Sequence, residues 1–484
     1  MHLHLSNKIR RFTATLLTVV FVAIPLVARL ARADAKTDAA AMRDPHIHEQ
    51  VLSVPGDPAR PVMLQVTFYT PDGAGPFPLA VLNHGKDSGD PRLQPRNREV
   101  YVSRYFLSRG YAVALPMLRG FAGSGGVYDP HGCDAEADGL SQAKDLRAVL
   151  DYLVKRPDID ARHIVMFGQS YGGWNTLAFG TLNYPGVRGL VNADGGRRAP
   201  TCPDWERELA IAAGHYARQT QVPSIWFYGD NDSTFPVSTW RRMYERYTAL
   251  GGRAELVAFG CFMKDAHHFL EYPEGLSQIW TPKMDGFLAR IGLPSRILHP
   301  ELLPTSFPAP THFAAIDDVN AVPLVNNVGR RDYRAFLTRS MPRVFAIAPD
   351  GTAVTTNGGY DPLARALKLC RKYHRVCRPY AVDDEVVWPI PTPVPPATHF
   401  AQIDNVAAVP YLNNRGREVG YRRFLTLGEP RAFVIAPDGA WAYSERGFDP
   451  LNQALEACKK KHNGCRLYAV DDHVVWPDQQ GPAK

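Results

Sequence analysis

The chain has 484 residues, of which 45% are hydrophobic and 21% are charged. That length is too great for one ordinary core and predicts two or three domains, and the composition is that of a globular protein. The formal net charge is +7, but five basic residues and no acidic one lie in residues 1–33, so the charge without them is about +2. The basic balance therefore gives little support for a nucleic-acid partner, and none is predicted.

The N-terminus has the pattern of a secretory signal peptide. Three basic residues within residues 8–11 precede the apolar run TLLTVVFVAIPLVA, and Ala-Arg-Ala at 31–33 has the small-x-small form of a cleavage site. The alternative is a membrane anchor that stays attached, but the run is short for a span and contains Pro25. We predict cleavage after about Ala33, a periplasmic or secreted mature protein, and no integral membrane span after cleavage.

From about residue 46 to 292, short apolar runs alternate with amphipathic stretches. PLAVLNHG, YAVALPM, HIVMFG and SIWFYG are typical of buried strands, and REVYVSRYFLSRG and GLSQAKDLRAVLDYLVKR are typical of helices. This alternation predicts an α/β domain whose doubly wound, mostly parallel sheet is covered on both faces. The first strands follow one another without helices between them, so the leading edge of the sheet is predicted to be antiparallel.

The C-terminal part is an internal repeat with a period of about 88 residues. THFAAIDDVNAVPLVNN from Thr311 matches THFAQIDNVAAVPYLNN from Thr398, and PRVFAIAPDG from Pro342 matches PRAFVIAPDG from Pro430. A proline-rich stretch precedes each copy and is predicted to act as a linker. We predict two small α+β repeat domains after the catalytic domain. The predicted boundaries are signal peptide 1–33, catalytic domain 34–292, linker 293–310, repeat module 311–388, linker 389–397, repeat module 398–476 and tail 477–484.

Seven cysteines occur in the chain, and four of them follow the repeat. Each copy contains C-x6-C, namely Cys370 with Cys377 and Cys458 with Cys465, where a predicted helix ends and a strand begins. A metal site would need more ligands and closer cysteine pairs, so we predict a disulfide in each copy and no metal. The paired aspartates of YAVDDEVVW are predicted to form a hairpin turn, and a Ca²⁺ or acid–base role is the alternative.

A nucleophilic serine is suggested by IVMFGQSYGGW at residues 164–174. The strand HIVMFG leads into Gly-Gln-Ser-Tyr-Gly, and the helical stretch WNTLAFGTL follows. This is the context of a strained strand-to-helix elbow that presents Ser170, with a helix N-terminus that favours negative charge behind it. A loop that simply needs small residues is the alternative, since a G-x-S-x-G match is not rare in a chain this long.

An acid and a base follow Ser170 in the chain. SIWFYGDNDSTFP runs from a predicted strand into a loop with Asp230 and Asp232, of which we favour Asp232. AELVAFGCFMKDAHHFLEYP is a later strand followed by His267 and His268. The order Ser, Asp, His, each at or beyond the carboxyl end of a strand, is what a Ser-His-Asp hydrolase would need.

These motifs resemble the α/β-hydrolase fold, specifically its dienelactone hydrolase-like and prolyl-oligopeptidase-like branches, over about residues 46–292. The resemblance implies Asp232 as the acid, because it has the G-x-x-D-x-x-x-P setting, and His267 rather than His268 as the base, because members often carry H-x-F. Dienelactone hydrolase itself has a cysteine nucleophile where this chain has Ser170, so a dienelactone substrate is not implied.

The oxyanion donors follow from the same resemblance. The backbone N–H of Tyr171 is one, and the second comes from the loop after AVLNHG, either from Lys86 or from Gly85. His84 is predicted to support that loop structurally. LRGFAGSGG resembles an R-G-x-G-x-S-x-G loop of the peptidase branch, in which Arg119 either orients the active-site loops or faces solvent.

Three cysteines and two arginines lie in the remaining loops of this region. Cys133 and Cys202 are predicted to pair, and Cys261 is predicted to be a buried free thiol because it follows an apolar strand. Arg197 and Arg198 are predicted to form a solvated basic turn, with contact to an anionic substrate as the alternative.

Three functions are compatible with these residues. The first is a secreted serine hydrolase that cleaves small carboxylic esters without a cofactor. The second is a peptidase or amidase of the prolyl-oligopeptidase type, against which we note no room for a large N-terminal propeller and no obvious acidic pair for a peptide amine. The third is an envelope-binding protein with a vestigial hydrolase domain, whose two repeats would give bivalent attachment.

Overall fold

The computed structural model describes residues 42–373 and 376–477. The predicted signal peptide therefore lies outside the described residues. Tertiary contacts divide the chain into two units: the first runs to Thr305 and includes residues 358–361, and the second comprises the rest from Ser306. No helix among the described residues is long and apolar enough to cross a membrane.

The first unit is built on an eight-stranded sheet with strand order β1-β2-β4-β3-β5-β6-β7-β8. Strand β2 is antiparallel to both β1 and β4, and all later neighbours are parallel. The predicted mostly parallel sheet with an antiparallel leading edge is confirmed. The strands are β1 Ile47–Pro55, β2 Met63–Pro71, β3 Phe77–Asn83, β4 Ala112–Pro116, β5 Ile159–Gln169, β6 Val187–Ala193, β7 Ser224–Tyr228 and β8 Ala254–Ala258.

Helices cover both faces of this sheet, as its side-chain alternation requires. On β3, Leu79 and Val81 enter one hydrophobic core, whereas Ala80 and Leu82 enter the other. A sheet that buries apolar side chains on both faces is stable only between two helical layers. The helices are α1 Val100–Leu107, α2 Ala135–Leu153, α3 Tyr171–Gly180, α4 Trp205–Gln219, α5 Val237–Ala249 and α6 Thr281–Arg290, the last preceded by a π-helical turn at Gly275–Trp280; short 3₁₀ turns lie at Pro91–Leu93, Ala266–Glu271 and Pro300–Leu302.

The second unit contains two four-stranded antiparallel sheets, one from each copy of the repeat, with orders β10-β9-β11-β12 and β14-β13-β15-β16. Two small α+β folds are thus confirmed. The strands are β9 Arg343–Ile347, β10 Ala353–Asn357, β11 Arg378–Val382, β12 Glu385–Val386, β13 Arg431–Ile435, β14 Trp441–Glu445, β15 Arg466–Val470 and β16 His473–Val474. The helices are α7 Asn327–Leu337, α8 Pro362–Arg371, α9 Arg422–Leu425 and α10 Pro450–Lys459, with a π-helical turn at Gly416–Tyr421 and 3₁₀ turns at Val319–Ala321 and Val406–Ala408.

Disulfides and turn aspartates stabilise each repeat in the same way. Cys370 and Cys377 form a disulfide, as do Cys458 and Cys465. The paired aspartates lie in the turn between β11 and β12 and in the equivalent turn between β15 and β16. In the first of these turns, Asp383 Oδ1 accepts a 2.7 Å hydrogen bond from the backbone N–H of Arg343. In the second copy Asp471 Oδ1 accepts the equivalent bond from Arg431 at 2.8 Å. The first aspartate of each pair therefore connects its turn to the first residue of the neighbouring strand, β9 or β13.

Candidate active site

Ser170 lies on a strained turn between β5 and α3. Its backbone has φ 55° and ψ −124°, a conformation that is costly for any residue other than glycine. The flanking glycines are required by close contact: a Cβ on Gly168 would lie 2.0 Å from the carbonyl oxygen of Gly172, and a Cβ on Gly172 would lie 1.8 Å from that of Asn83. The turn can therefore form only because Gly168 and Gly172, two positions before and after Ser170, lack side chains.

Three side chains from separate loops meet at this turn. Ser170 Oγ lies 3.0 Å from His267 Nε2, and His267 Nδ1 lies 3.0 Å from Asp232 Oδ2. The Asp232 carboxylate can accept a hydrogen bond but cannot donate one, so Nδ1 carries the hydrogen and Nε2 is free to accept the serine proton. Both the histidine and the aspartate side chains are almost fully buried.

Local hydrogen bonds explain why Asp232 and not Asp230 points at the histidine. Asp232 Oδ1 accepts backbone hydrogen bonds from Thr234 at 2.7 Å and Phe235 at 2.8 Å, which fixes the carboxylate in the loop after β7. Asp230 is exposed.

The neighbouring histidine is placed differently from His267. His268 is half-exposed and donates a 2.8 Å hydrogen bond from Nδ1 to Glu271 Oε1, which raises the pKa of His268. His267 is fixed instead by Gln169, whose side-chain amide donates a 2.9 Å hydrogen bond to the carbonyl oxygen of His267. This contact, which connects the histidine loop to the residue before Ser170, is not visible in the sequence.

The candidate oxyanion donors come from two places: the first residue of α3 and the loop after β3. Tyr171 is the first residue of α3, so its backbone N–H has no partner within the helix. Gly85 packs so closely on the elbow that a Cβ there would lie 3.3 Å from the Ser170 Cβ, and Lys86 follows it in the same loop. Within the described residues, the backbone N–H groups of Tyr171 and Lys86 make no hydrogen bond of normal geometry.

His84 stabilises the loop with Gly85 and Lys86 through hydrogen bonds at both ring nitrogens. Its Nε2 accepts a 3.0 Å hydrogen bond from the backbone N–H of Leu118, so Nδ1 carries the hydrogen that is donated to the Gly85 carbonyl oxygen at 2.7 Å. Burial lowers the pKa of His84 to about 4, which keeps the ring neutral. The loop is therefore positioned by a histidine that does not titrate near neutral pH.

Arg119 orients loops and does not face solvent. It is buried, and its Nε and Nη2 atoms lie 2.9 and 2.7 Å from the two carboxylate oxygens of Asp145 on α2. The same carboxylate accepts a 2.7 Å hydrogen bond from the backbone N–H of Asp57. One buried ion pair thus fixes the loop after β4 to a helix and to the leading edge of the sheet.

The predicted solvated turn at Arg197 and Arg198 is wrong for Arg197. Its guanidinium is buried, with Nε 3.0 Å from Asp138 Oδ2, while Arg198 stays exposed beside the ring of Trp205. A buried charge needs an opposite charge, and Asp138 supplies it from α2. Arg197 is therefore committed to an internal ion pair and is not a contact for an anionic substrate.

The remaining cysteines differ in state. Cys133 and Cys202 form a disulfide that joins the loop before α2 to the loop before α4. Cys261 is a free thiol, but it is exposed, so its predicted burial is wrong. Strand β8 ends at Ala258, and Cys261 lies beyond it in a surface turn. The apolar pattern of the strand does not extend to this position.

Asp194 is a buried carboxyl group at this site that its local sequence does not mark as functional. Among the described residues, Asp194, Asp232 and His267 form the only group of three or more ionisable side chains close enough to share a metal ion, with one ligand atom of each within 4.8 Å of the others. The hydrogen bond between His267 Nδ1 and Asp232 Oδ2 already occupies two potential ligand atoms of this group. The arrangement is therefore better suited to proton transfer than to coordination.

Comparison with known families agrees with this geometry. The family described as X-Pro dipeptidyl-peptidase (S15 family) matches residues 57–197, which include the turn at Ser170 and the loop with Gly85 and Lys86. The first unit has the α/β-hydrolase fold. The strand order of the first unit, with β2 antiparallel and a nucleophile elbow after β5, belongs to that fold.

Solved structures of hydrolases are distant relatives of the first unit. A dienelactone hydrolase from Klebsiella pneumoniae is 17% identical with a TM-score of 0.36, and the match covers 51% of this chain and 98% of that chain. A Pyrococcus furiosus esterase is 17% identical with a TM-score of 0.37, over 51% and 94%. A Pyrococcus horikoshii acylaminoacyl peptidase is 15% identical with a TM-score of 0.40, over 52% and 43%. Similarity this distant does not identify a substrate.

Proposed function

We propose that the protein is a secreted serine hydrolase that cleaves small carboxylic esters through a Ser170–His267–Asp232 triad. One observation carries the proposal: an unbroken chain of hydrogen bonds runs from the serine hydroxyl through both ring nitrogens of His267 to a buried carboxylate. A serine hydroxyl is a weak nucleophile without such a base, and the base needs an orienting acid.

The chemistry proceeds in two steps. His267 Nε2 takes the proton of Ser170 as Oγ attacks the acyl carbon, and Asp232 stabilises the imidazolium that forms. The imidazolium then protonates the leaving alcohol, which leaves an acyl-enzyme on Ser170. Water attacks that ester with His267 again acting as base, and the acid product is released. No step requires a cofactor or a metal ion.

Backbone donors supply the electrostatic part of catalysis. The N–H of Tyr171 and an N–H from Gly85 or Lys86 converge beside Ser170, where the negative charge of the tetrahedral intermediate develops. The α3 N-terminus contributes in the same direction because its dipole favours negative charge there. Loss of one such donor costs about 10²–10³-fold in kcat in a well-studied serine protease.

Hydrolysis of a peptide or an N-terminal dipeptide is the second candidate. It is favoured by the family match at residues 57–197 and by two carboxylates near the oxyanion loop. Desolvation raises the pKa of Asp87, an exposed residue of that loop, and the negative charge of Glu271 acts in the same direction. Two such carboxylates would suit a substrate amine, although the sequence alone shows no acidic pair.

Location outside the cytoplasm is supported by the cysteines. Three disulfides occur among the described residues, and such bonds persist in oxidising compartments. Together with the signal-like N-terminus, they support a periplasmic or secreted enzyme. We propose that the two repeat modules attach it to an envelope or surface ligand, since two copies on one chain increase avidity.

A substrate panel tests the proposal. The mature protein is assayed on p-nitrophenyl esters of increasing acyl length and on X-Pro and acylaminoacyl p-nitroanilides. We expect turnover of short esters that Ser170→Ala abolishes, while Ser238→Ala, which removes an exposed hydroxyl on α5, retains full activity. Preferential turnover of the anilides would favour the peptidase, and a Ser170→Ala variant as active as the wild type would refute both.

A further inference from the structure

Asp194 is a fully buried carboxyl beside the proposed triad. It follows the last residue of β6, with its backbone at φ 44°, and neither carboxyl oxygen makes a hydrogen bond of normal geometry. Even so, one oxygen lies within 4.8 Å of both an Asp232 oxygen and a His267 ring nitrogen. Buried carboxyls are normally hydrogen-bonded, so this one requires a physical explanation.

Two buried carboxyls this close cannot both be ionised at low cost. Moving a second charge out of water beside the first is opposed by desolvation and by repulsion. The charge belongs on Asp232, because its oxygens accept two backbone N–H bonds and the His267 Nδ1–H. Asp194 has no comparable donors, and its nearest stabilising group is the backbone N–H of Gly229.

We propose that Asp194 is a positioning residue that stays protonated and directs its O–H dipole at the Asp232 carboxylate. This inference rests on the proposed triad. The neutral acid stabilises the charge of Asp232 without adding a second charge beside His267. Two negative charges would favour the imidazolium before the reaction begins and would reduce the fraction of His267 able to accept the serine proton at neutral pH.

The surroundings are consistent with a protonated Asp194. The ionisable groups that face it are Asp232, Asp265, His267 and the hydroxyl of Tyr228. Burial is the main cause that raises the pKa of Asp194 well above its usual range, and the charges of Asp232 and Asp265 act in the same direction.

The first test reads protonation directly and does not depend on activity. Infrared spectra at about pH 8 are recorded for the full chain with Ser170→Ala as background, and again with Asp194→Asn added. We expect the carbonyl band of a buried protonated carboxylic acid in the first protein and its loss in the second. Absence of the band, or its persistence in the Asn variant, would overturn the inference even if the esterase assay succeeds.

The second test reads the effect on His267 through the pH profile of kcat/KM. An asparagine keeps a neutral donor, so Asp194→Asn is expected to leave the acidic limb unchanged. Asp194→Ala removes the dipole and is expected to lower kcat about tenfold with little change in KM. If Asp194 were ionised in the wild type, Asp194→Asn would shift the acidic limb down by about one pH unit, which would refute the inference.

Folding controls keep the outcomes distinct. Thermal unfolding of each variant is followed by circular dichroism, and Asp194→Ser replaces Asp194→Ala if the latter does not fold. Inactivity of the wild type on every ester and anilide would count against the proposed function alone, because the infrared test would still decide whether Asp194 is protonated.

Discussion

Tyr171, the residue that follows the proposed nucleophile, donates a 3.0 Å hydrogen bond from its hydroxyl to Asp138 Oδ1 on α2. The other oxygen of that carboxylate lies 3.0 Å from Arg197 Nε, and Arg197 belongs to the loop after β6. The buried carboxylate of Asp138 on α2 thus contacts both the residue after Ser170 and the loop after β6. The position of the Tyr171 N–H therefore depends on groups that do not touch the substrate.

Stability should depend on pH through Asp138. Burial raises its pKa from 3.8 to about 6 despite the opposing charge of Arg197. The folded chain then binds this proton more tightly than the unfolded chain, so the contribution of Asp138 to stability is complete below about pH 4 and is lost as the pH rises to about 6. Asparagine resembles the protonated carboxyl at every pH.

We therefore expect Asp138→Asn to gain stability relative to the wild type as the pH rises from about 4 to 7, by about 2–3 kcal/mol. Urea unfolding at both pH values measures the difference. Asp151→Asn is the matched control, because Asp151 also accepts a tyrosine hydroxyl but is half exposed. A relative loss of stability for Asp138→Asn at higher pH would mean that the ion pair with Arg197 outweighs burial.

Replacement of the triad acid should separate the two aspartates of the β7 loop. Asp232→Asn keeps an oxygen for the backbone N–H groups of Thr234 and Phe235 but turns an amide toward His267. The wrong imidazole tautomer is then favoured, and we expect kcat to fall by about 10³–10⁴-fold with thermal unfolding little changed.

Asp230→Asn is the control for that experiment, since the exposed Asp230 side chain lies two residues away in the same loop. Its kcat is expected to remain within about twofold of wild type, as for a surface substitution. Equal activity of the two variants on the best ester would remove Asp232 from the mechanism.

The two adjacent histidines offer a similar contrast. His267→Gln removes the only base within 3.0 Å of Ser170 Oγ among the described side chains, and we expect kcat to fall to the level of Ser170→Ala, because triad members act as a unit. His268→Gln changes a half-exposed ring that pairs with Glu271, and its kcat is expected to change by less than about threefold. A more severe loss in the His268 variant would reverse the assignment.

The fold was readable from the sequence because the strands from β2 to β8 are short, largely apolar runs followed by a break, whereas the mostly exposed β1 is not. Ser170, Asp232 and His267 each stand just after such a run, and parallel strands bring their carboxyl ends to one edge of the sheet. Linear order was therefore enough to suggest a meeting in space. Motif resemblance then separated the candidates within each loop.

Buried charges were not readable in this way. Arginine and aspartate are usually exposed, and nothing in the local sequence of Arg197 or Asp138 shows that they face each other across 59 positions. Asp194 was missed for the same reason: in NADGG it has the composition of an exposed turn. These contacts depend on how loops fold over the sheet, which hydrophobic periodicity does not encode.

The disulfides should contribute unequally to stability. Cys133 and Cys202 are separated by 69 positions, whereas Cys370 and Cys377 are separated by 7. A disulfide limits the conformations of the unfolded chain, and this loss of entropy grows with the length of the closed loop. The expected stabilisation of the folded state is about 4 kcal/mol for the first pair and about 2 kcal/mol for the second.

Urea unfolding of Cys133→Ser/Cys202→Ser and of Cys370→Ser/Cys377→Ser measures both contributions, with Cys261→Ser as the exposed single-cysteine control. The first double variant is also expected to lose the proposed esterase activity before it unfolds, because the disulfide joins the loop that carries Arg197 to the start of α2, which carries its partner Asp138. Equal losses of stability in the two double variants would show that native-state contacts, and not loop closure, set the contribution of these bonds.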